Sequence, residues 1–285
     1  MKLYLRKLAL ISLLLVVLLA VLAFASRAVV VRGCSWKLPE RVHVLFLGAS
    51  HVEYAVDDSM MASAVNWARG SERYAYTYIK LSHLLEDNPR IDTVFLELAP
   101  TDLWADADDK YHKENEQSFY VANYWPFFSL AEWRIFAGEP LQAGRVVVAN
   151  LLQADNVLRH DKWWKKMGGH ENTFEEMDAA AAKWEPAESL GHGNAVNYGY
   201  LRKIVRLCEK RGVKLYFLET PTSHMERIYD IAYFRDAYRK NFSDVEFVDY
   251  SDWPMADDER KDPHHLNHRG AVRFTREIME RFHLR

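Results

Sequence analysis

Three histidines fall within five positions of DPHHLNHRGA, residues 262–271, with Asp262 ahead of them and Gly270-Ala271 behind. An imidazole beside a carboxylate is a proton-transfer pair. The carboxylate fixes one tautomer, and the other ring nitrogen takes a proton near neutral pH. Three-residue spacing on a turn puts Asp262 and His265 on one side, where both can serve a single nucleophile. The same residues allow other readings. His264, His265 and His268 with Asp262 are zinc-ligand types, and His264 and His268 have helical i, i+4 spacing. Against a metal, Pro263 opposes a helix through Asp262 and no His-Glu-x-x-His is present. The expectation is therefore no metal and no cofactor, with His264 and His268 facing solvent.

A base needs something to activate. VLFLGASH carries Gly48-Ala49-Ser50-His51 directly after an apolar run. A serine at that point sits on the sharp turn at a strand's carboxyl end, with its hydroxyl projecting from the sheet. The backbone N–H groups that open the next segment can hold an oxyanion. Taken alone, Gly-Ala-Ser is also an ordinary strand-to-helix connection in which Ser50 or Ser59 caps a helix. The conjunction with Asp262-x-x-His265 favours chemistry, because a serine hydroxyl is a poor nucleophile until an oriented base takes its proton. The catalytic candidates are Ser50, His265 and Asp262. His51 shapes the pocket, and His224, beyond Thr220-Pro221-Thr222, is the alternative base. Asp249 and Asp252 cap the loop leaving the last strand. Glu97 and Glu219 end strands, where a buried carboxylate needs a hydrogen bond.

These residues must be brought together by a scaffold. VHVLFL (42–47), DTVFLEL (92–98), VKLYFLE (213–219) and VEFVDY (245–250) are continuous apolar runs, as expected of parallel strands covered on both faces. Helical spacing lies between them. NYGYLRKIVRLCEKRG is clearest, with Leu201, Ile204, Val205 and Cys208 on one stripe and Gly212 as its stop. Further helical patterns cover 74–87, 226–241 and 268–282. Strands alternating with helices give an α/β three-layer domain over 38–285 that binds ligands at the strands' carboxyl ends. Residues 105–192 break this rhythm with YWPFF, EWRIF and DKWWKKMGG, and are expected to form a mostly helical insertion. That insertion is a packing surface or, by aromatic stacking, a sugar platform.

At 285 residues and 49% hydrophobic, the chain can bury one substantial core, and its net charge of −3 gives no pull toward nucleic acid. Residues 1–30 differ in kind. Lys2, Arg6 and Lys7 precede an uncharged apolar run over 8–25. Eighteen helical residues span roughly 27 Å, close to the thickness of a bilayer's hydrocarbon layer. Basic residues on its amino-terminal side place that end in the cytoplasm and the rest outside. Ala23-Phe24-Ala25 before Ser26 would also suit signal cleavage, but the apolar run exceeds the usual signal core, so an uncleaved anchor is expected. The two cysteines, Cys34 and Cys208, are permitted a disulfide outside the cytoplasm. Cys208 lies on a helix's apolar stripe, where a buried thiol is the simpler expectation.

The two blocks together resemble the SGNH, or GDSL-like, hydrolases. In that family a Gly-x-Ser after the first strand supplies the nucleophile, and an Asp-x-x-His near the carboxyl terminus supplies acid and base. Gly48-Ala49-Ser50 is similar to the first block, and Asp262-Pro263-His264-His265-Leu266-Asn267 with Gly270-Ala271 to the last. Asn66-x-x-x-Gly70-Ser71 falls where the family places an oxyanion glycine, and LELAPTDLW (96–104) where it has Gly-x-Asn-Asp. The likeness covers roughly 42–104 and 196–282. It implies a flavodoxin-like sheet and an oxyanion hole built from Ser50, Gly70 and, in place of the family's asparagine, Thr101. Asp102 departs from the pattern and would repel an oxyanion if ionised and close. The chain resembles the membrane-anchored branch typified by the D-alanyl-lipoteichoic-acid transfer protein and the alginate O-acetylation proteins. That implies an esterase or O-acyltransferase outside the cytoplasm, acting on an envelope polymer or lipid beside a membrane-bound O-acyltransferase. A catalytically silent scaffold for such a partner is the alternative.

Overall fold

The computed structural model describes residues 1–103, 119–121, 123–136, 154–155, 157–159, 167–178, 195–222 and 229–285. It divides into two compact units, one of Met1–Ser35 with Glu114–Lys165 and one of Trp36–Lys113 with Lys166–Arg285.

The second unit is α/β. Strands β1 (Val44–Leu47), β2 (Ala64–Asn66), β3 (Thr93–Glu97), β4 (Lys214–Glu219) and β5 (Glu246–Asp249) form one sheet in the order β2-β1-β3-β4-β5. Every pairing is parallel, with Val44 opposite Ala64 and Thr93, Leu96 opposite Phe217, and Leu218 opposite Val248. The four apolar runs are these strands, each trimmed by a residue or two. The fifth, β2, was not expected: Ala64-Val65-Asn66 is too short an edge strand to leave a period.

Alternation along the strands explains the two helical layers. Val44, Phe46, Phe95, Leu218 and Val248 share a core with Val52 and Ala55 of α2 (Ser50–Ala55) and with Phe274 and Ile278 of α7 (His268–Phe282). The intervening Leu45, Leu47, Val94 and Leu96 are also fully buried, so they require a cover on the opposite face. Three helices belong to that side: α3 (Tyr74–Asp87), α5 (Ala195–Arg211) and α6 (Ile231–Phe242). Phe217 of β4 meets Phe242 of α6 at 5.8 Å, and α3 packs on α5. Helix α5 stops at Gly212, whose φ of 67° is open to glycine at little cost. Cys208 is buried on the α5 stripe, and both cysteines are free thiols.

One polar element sits inside the second layer. Lys80 of α3 is fully buried, yet its ammonium reaches Glu72 Oε2 at 2.8 Å and the carbonyls of Trp67 at 2.5 Å and Met167 at 2.8 Å. All three donors are satisfied, and the turn after β2 is tied to α3. Burial lowers the lysine's pKa while Glu72 acts in the other direction.

In the first unit, α1 (Lys2–Gly33) is long and apolar enough to cross a membrane, and its apolar window is unburied. The helix includes the whole run 8–25 and continues through Arg27 and Arg32. Of residues 105–192, the described parts include helix α4 (Leu130–Phe136) and a segment without regular structure over 167–178.

Removing one partner of a buried pair leaves the other charge uncompensated, at a cost of about 3–5 kcal/mol. In urea titrations Lys80→Ala should therefore lower the unfolding free energy by that order, whereas Lys240→Ala, which breaks an exposed pair with Asp236 on α6, should cost under about 1 kcal/mol.

Candidate active site

Ser50 opens α2, a helix of six residues that has too few internal hydrogen bonds to hold itself in place. Its ends are held by side chains from elsewhere. At the amino end, the Glu97 carboxylate at the tip of β3 accepts from Ala49 N–H at 2.7 Å and Val52 N–H at 3.2 Å. A carboxyl oxygen there satisfies two orphan donors, while burial and the charge of Asp102 push the group's pKa up to about 8. Gly48, at φ 148°, is required by this approach, because a Cβ would stand 2.3 Å from Glu97 Cβ. At the carboxyl end, Asn66 Nδ2 donates to the carbonyls of Val52 at 2.9 Å and Val56 at 2.8 Å, and Asn66 Oδ1 accepts from Ala68 N–H.

A second carboxyl group holds the flank. Glu53, one turn after Ser50, is buried; it accepts from Gly70 N–H at 2.6 Å and from Arg69 Nη1 at 3.1 Å. Burial pushes its pKa up to about 7 against the pull of Arg69. Gly70 lies against the serine, since a Cβ on it would be 3.8 Å from Ser50 Cβ. The neighbouring Ser71 takes a φ of 62°.

The partner loop precedes α7. Asn267 caps that helix, accepting from Arg269 and Gly270 N–H, while its Nδ2 donates to Asp258 O at 2.8 Å. A Cβ at Gly270 would stand 2.2 Å from Glu259 O, so the loop closes only on glycine. Within it Asp262 Oδ1 accepts from the N–H groups of His264 at 2.8 Å and His265 at 3.0 Å, and His265 Nδ1 lies 2.8 Å from Asp262 Oδ2. Burial raises the Asp262 pKa, but the hydrogen bond and charge of His265 outweigh it and hold the group at about 2. On the far side of the ring, His265 Nε2 is 2.8 Å from Ser50 Oγ. Thr275 Oγ1 of α7 accepts from Asp57 N–H at 2.9 Å, joining the exit of α2 to the helix behind the histidine.

Ser50, His265 and Asp262 are thus in one hydrogen-bonded line across 215 positions of sequence. Such a line can move a proton from hydroxyl to imidazole. His51 sits beside the line, not in it: Nδ1 is 3.4 Å from Glu97 Oε1, and its ring packs against His265 at 5.5 Å. His224 lies outside the described residues. His264 and His268 are half-buried, a correction to the expectation that they face water. His264 stacks on His51 at 6.2 Å, and His268 rests on Phe174 at 4.9 Å. Among the described residues no group of His, Cys, Asp and Glu is arranged to hold a metal ion.

The oxyanion expectations change more. The Gly70 N–H is aimed at Glu53, not toward a substrate oxygen. Asp102 is buried and turned inward, with Oδ2 accepting from Ala99 N–H at 2.9 Å and Oδ1 3.9 Å from Arg73 Nη1. Thr101 is half-buried on the 3-10 turn Pro100–Asp102. Among the described residues nothing accepts from Ser50 N–H.

Residues 167–178 cross the site as a strap. His170 Nδ1 meets Glu53 O at 2.9 Å, Glu171 N–H donates to Glu53 O at 3.1 Å, and His268 N–H to Thr173 O at 2.7 Å. Met177 N–H then donates to Arg260 O at 2.8 Å. The strap therefore binds both the serine's helix and the histidine's loop. Sequence reasoning missed it, together with Glu53. The Ser-His-Val-Glu spacing, which puts Glu53 on the serine's face of α2, was the available signal.

A family model matches residues 177–284, the part that carries Asp262 and His265. No curated protein matches the chain. Among solved structures it is similar to a proposed platelet activating factor from Streptococcus pneumonia, at 14% identity over 97% of this chain and 98% of that one, TM-score 0.42. It is also similar to a proposed acylhydrolase from Bacteroides fragilis, at 13% identity over 84% and 86%, TM-score 0.39.

Glu219, buried at the end of β4, has its pKa pushed up to about 9 by burial and by Asp249. A folded state that holds the proton more tightly than the unfolded chain loses stability as pH rises. The loss begins near the ordinary carboxyl value of about 4.5 and is complete near 9. Glu219→Gln should flatten the fall in urea midpoint between those pH values, and an unchanged slope would show that another group carries it.

Proposed function

We propose that the chain is an SGNH-like serine esterase or O-acyltransferase, tethered by α1 at the outer face of a membrane. It acts on an ester of an envelope polymer or lipid. The observation that carries this reading is the 2.8 Å separation of Ser50 Oγ from His265 Nε2, with Asp262 on the ring's other nitrogen. Ser50 attacks the ester carbonyl carbon as its proton passes to His265 Nε2, and Asp262 stabilises the imidazolium that forms. The tetrahedral oxyanion collects at Ser50 N–H, with the Thr101 hydroxyl as the proposed side-chain donor. Collapse breaks the ester C–O bond, and the leaving alcohol takes the proton back from His265. Water or an acceptor hydroxyl then attacks the acyl-serine by the same steps in reverse.

A second reading has an observation of its own. With Gly70 N–H committed to Glu53 and Asp102 where an amide would serve, the oxyanion hole is thin. A silent SGNH-fold scaffold that docks a membrane-bound O-acyltransferase would tolerate that. Losing one such donor costs a working enzyme about 10²–10³ in rate.

A fluorophosphonate should label wild type, fail on Ser50→Ala, and still label Ser223→Ala. Asp262→Asn should lower kcat by about 10⁴ through the wrong imidazole tautomer. Unlabelled wild type, together with a cellular phenotype indifferent to Ser50→Ala, would favour the scaffold.

A further inference from the structure

Beyond α1, toward the carboxyl terminus, four described large apolar side chains are exposed: Phe119 at 39%, Leu130 at 71%, Leu158 at 67% and Phe174 at 76%. Three of the four belong to the small unit that contains α1, although the other unit has most of the described residues. Large apolar side chains left exposed on so small a unit are candidates for a contact surface.

The same segments are fixed to one level of α1. Arg27 Nε donates to Pro126 O at 2.7 Å, Ser26 and Val30 are buried, and a Cβ on Gly33 would strike Val157 Cγ1 at 2.1 Å. Residues 26–33 are therefore the part of the helix that the 119–136 and 154–159 segments grip. The apolar run ends at residue 25 and Arg27 is the first charge after it. Those eight residues rise about 12 Å beyond the run. They pass through a headgroup layer of roughly 5–8 Å on that side of the bilayer. Beside the buried Trp125 and Phe128, at 5.3 and 5.7 Å, Trp133 is only partly buried, and it is the residue type that settles at a membrane–water boundary.

We propose that Phe119, Leu130 and Leu158 form a lipid-contacting patch that seats this unit in the outer interface of the membrane α1 crosses. The proposal rests on the anchor in the reading above. Leu130 opens α4, whose Ser129–Glu132 cap fixes its first turn, so the leucine is presented by a rigid end. The patch turns a flexible single-helix tether into a two-point attachment. It thereby sets the height of the unit above the lipid.

The test uses the full chain in vesicles of mixed phosphatidylcholine and phosphatidylglycerol. Nitroxide labels are placed one at a time at Leu130→Cys, Leu158→Cys, Val16→Cys within the apolar run and Lys240→Cys on exposed α6, in a Cys34→Ser background. Collisions with oxygen report lipid, and collisions with a water-soluble nickel chelate report solvent. Positions 130 and 158 should shift away from the value at 240 toward that at 16, with both lying between the two. Values at 130 and 158 equal to that at 240, while 16 remains in lipid, would overturn the patch and leave the anchor standing; a protein partner would then be the occupant. A solvent value at 16 would remove the anchor and the patch together.

Discussion

A helix of six residues cannot hold its first side chain still, and the arrangement around the Ser50 hydroxyl follows from that constraint. Helix α2 is fixed by Glu97 at its amino end, by Asn66 at its carboxyl end and by Glu53 on its flank. Each fixing group is itself buried, and together they tie α2 to the exits of β3 and β2. Glu97 comes from β3, Asn66 ends β2, and Ser50 follows β1, so the carboxyl edge of three adjacent strands converges on one turn. The order β2-β1-β3 places the point where the chain reverses direction across the sheet next to Ser50, where open α/β sheets leave their crevice.

Burying these carboxylates is costly, and their pKa values record it. Glu53 is driven up to about 7 and Glu97 to about 8 by desolvation, while Asp262 is held down near 2 by the groups facing it. The contrast separates two roles. A carboxyl that accepts backbone N–H groups while screened from water serves to locate main chain. One paired with an imidazole stays ionised across neutral pH and can steady a positive charge that appears during reaction. The strap over 167–178 joins the two halves, since its bonds to Glu53 O and to the first turn of α7 tie the hydroxyl's mounting to the imidazole's.

The sheet was legible because continuous apolar runs bounded by turn residues leave few other placements, and because α5, α3 and α7 repeat their stripes over three or more turns. Ser50, His265 and Asp262 were legible because their types and local spacings constrain chemistry wherever the chain goes. What could not be read was direction. Nothing in Asn66-x-x-x-Gly70 says that the glycine N–H points to Glu53, since that depends on a helix flank formed by residues sixteen to seventeen positions earlier. His264 and His268 were misplaced for a related reason: their burial comes from His51 and Phe174, distant in sequence. Strand β2 was too short to show a period at all.

The proposed function requires that the Ser50 hydroxyl be acylated with His265 as its base. Rapid-quench mass spectrometry of the protein mixed with an activated acetate ester addresses it directly. The account predicts an acetyl group on the peptide containing Ser50 that accumulates before steady turnover and is absent in His265→Ala. Turnover with no acyl on that peptide, or an acyl group that forms equally in His265→Ala, would contradict it.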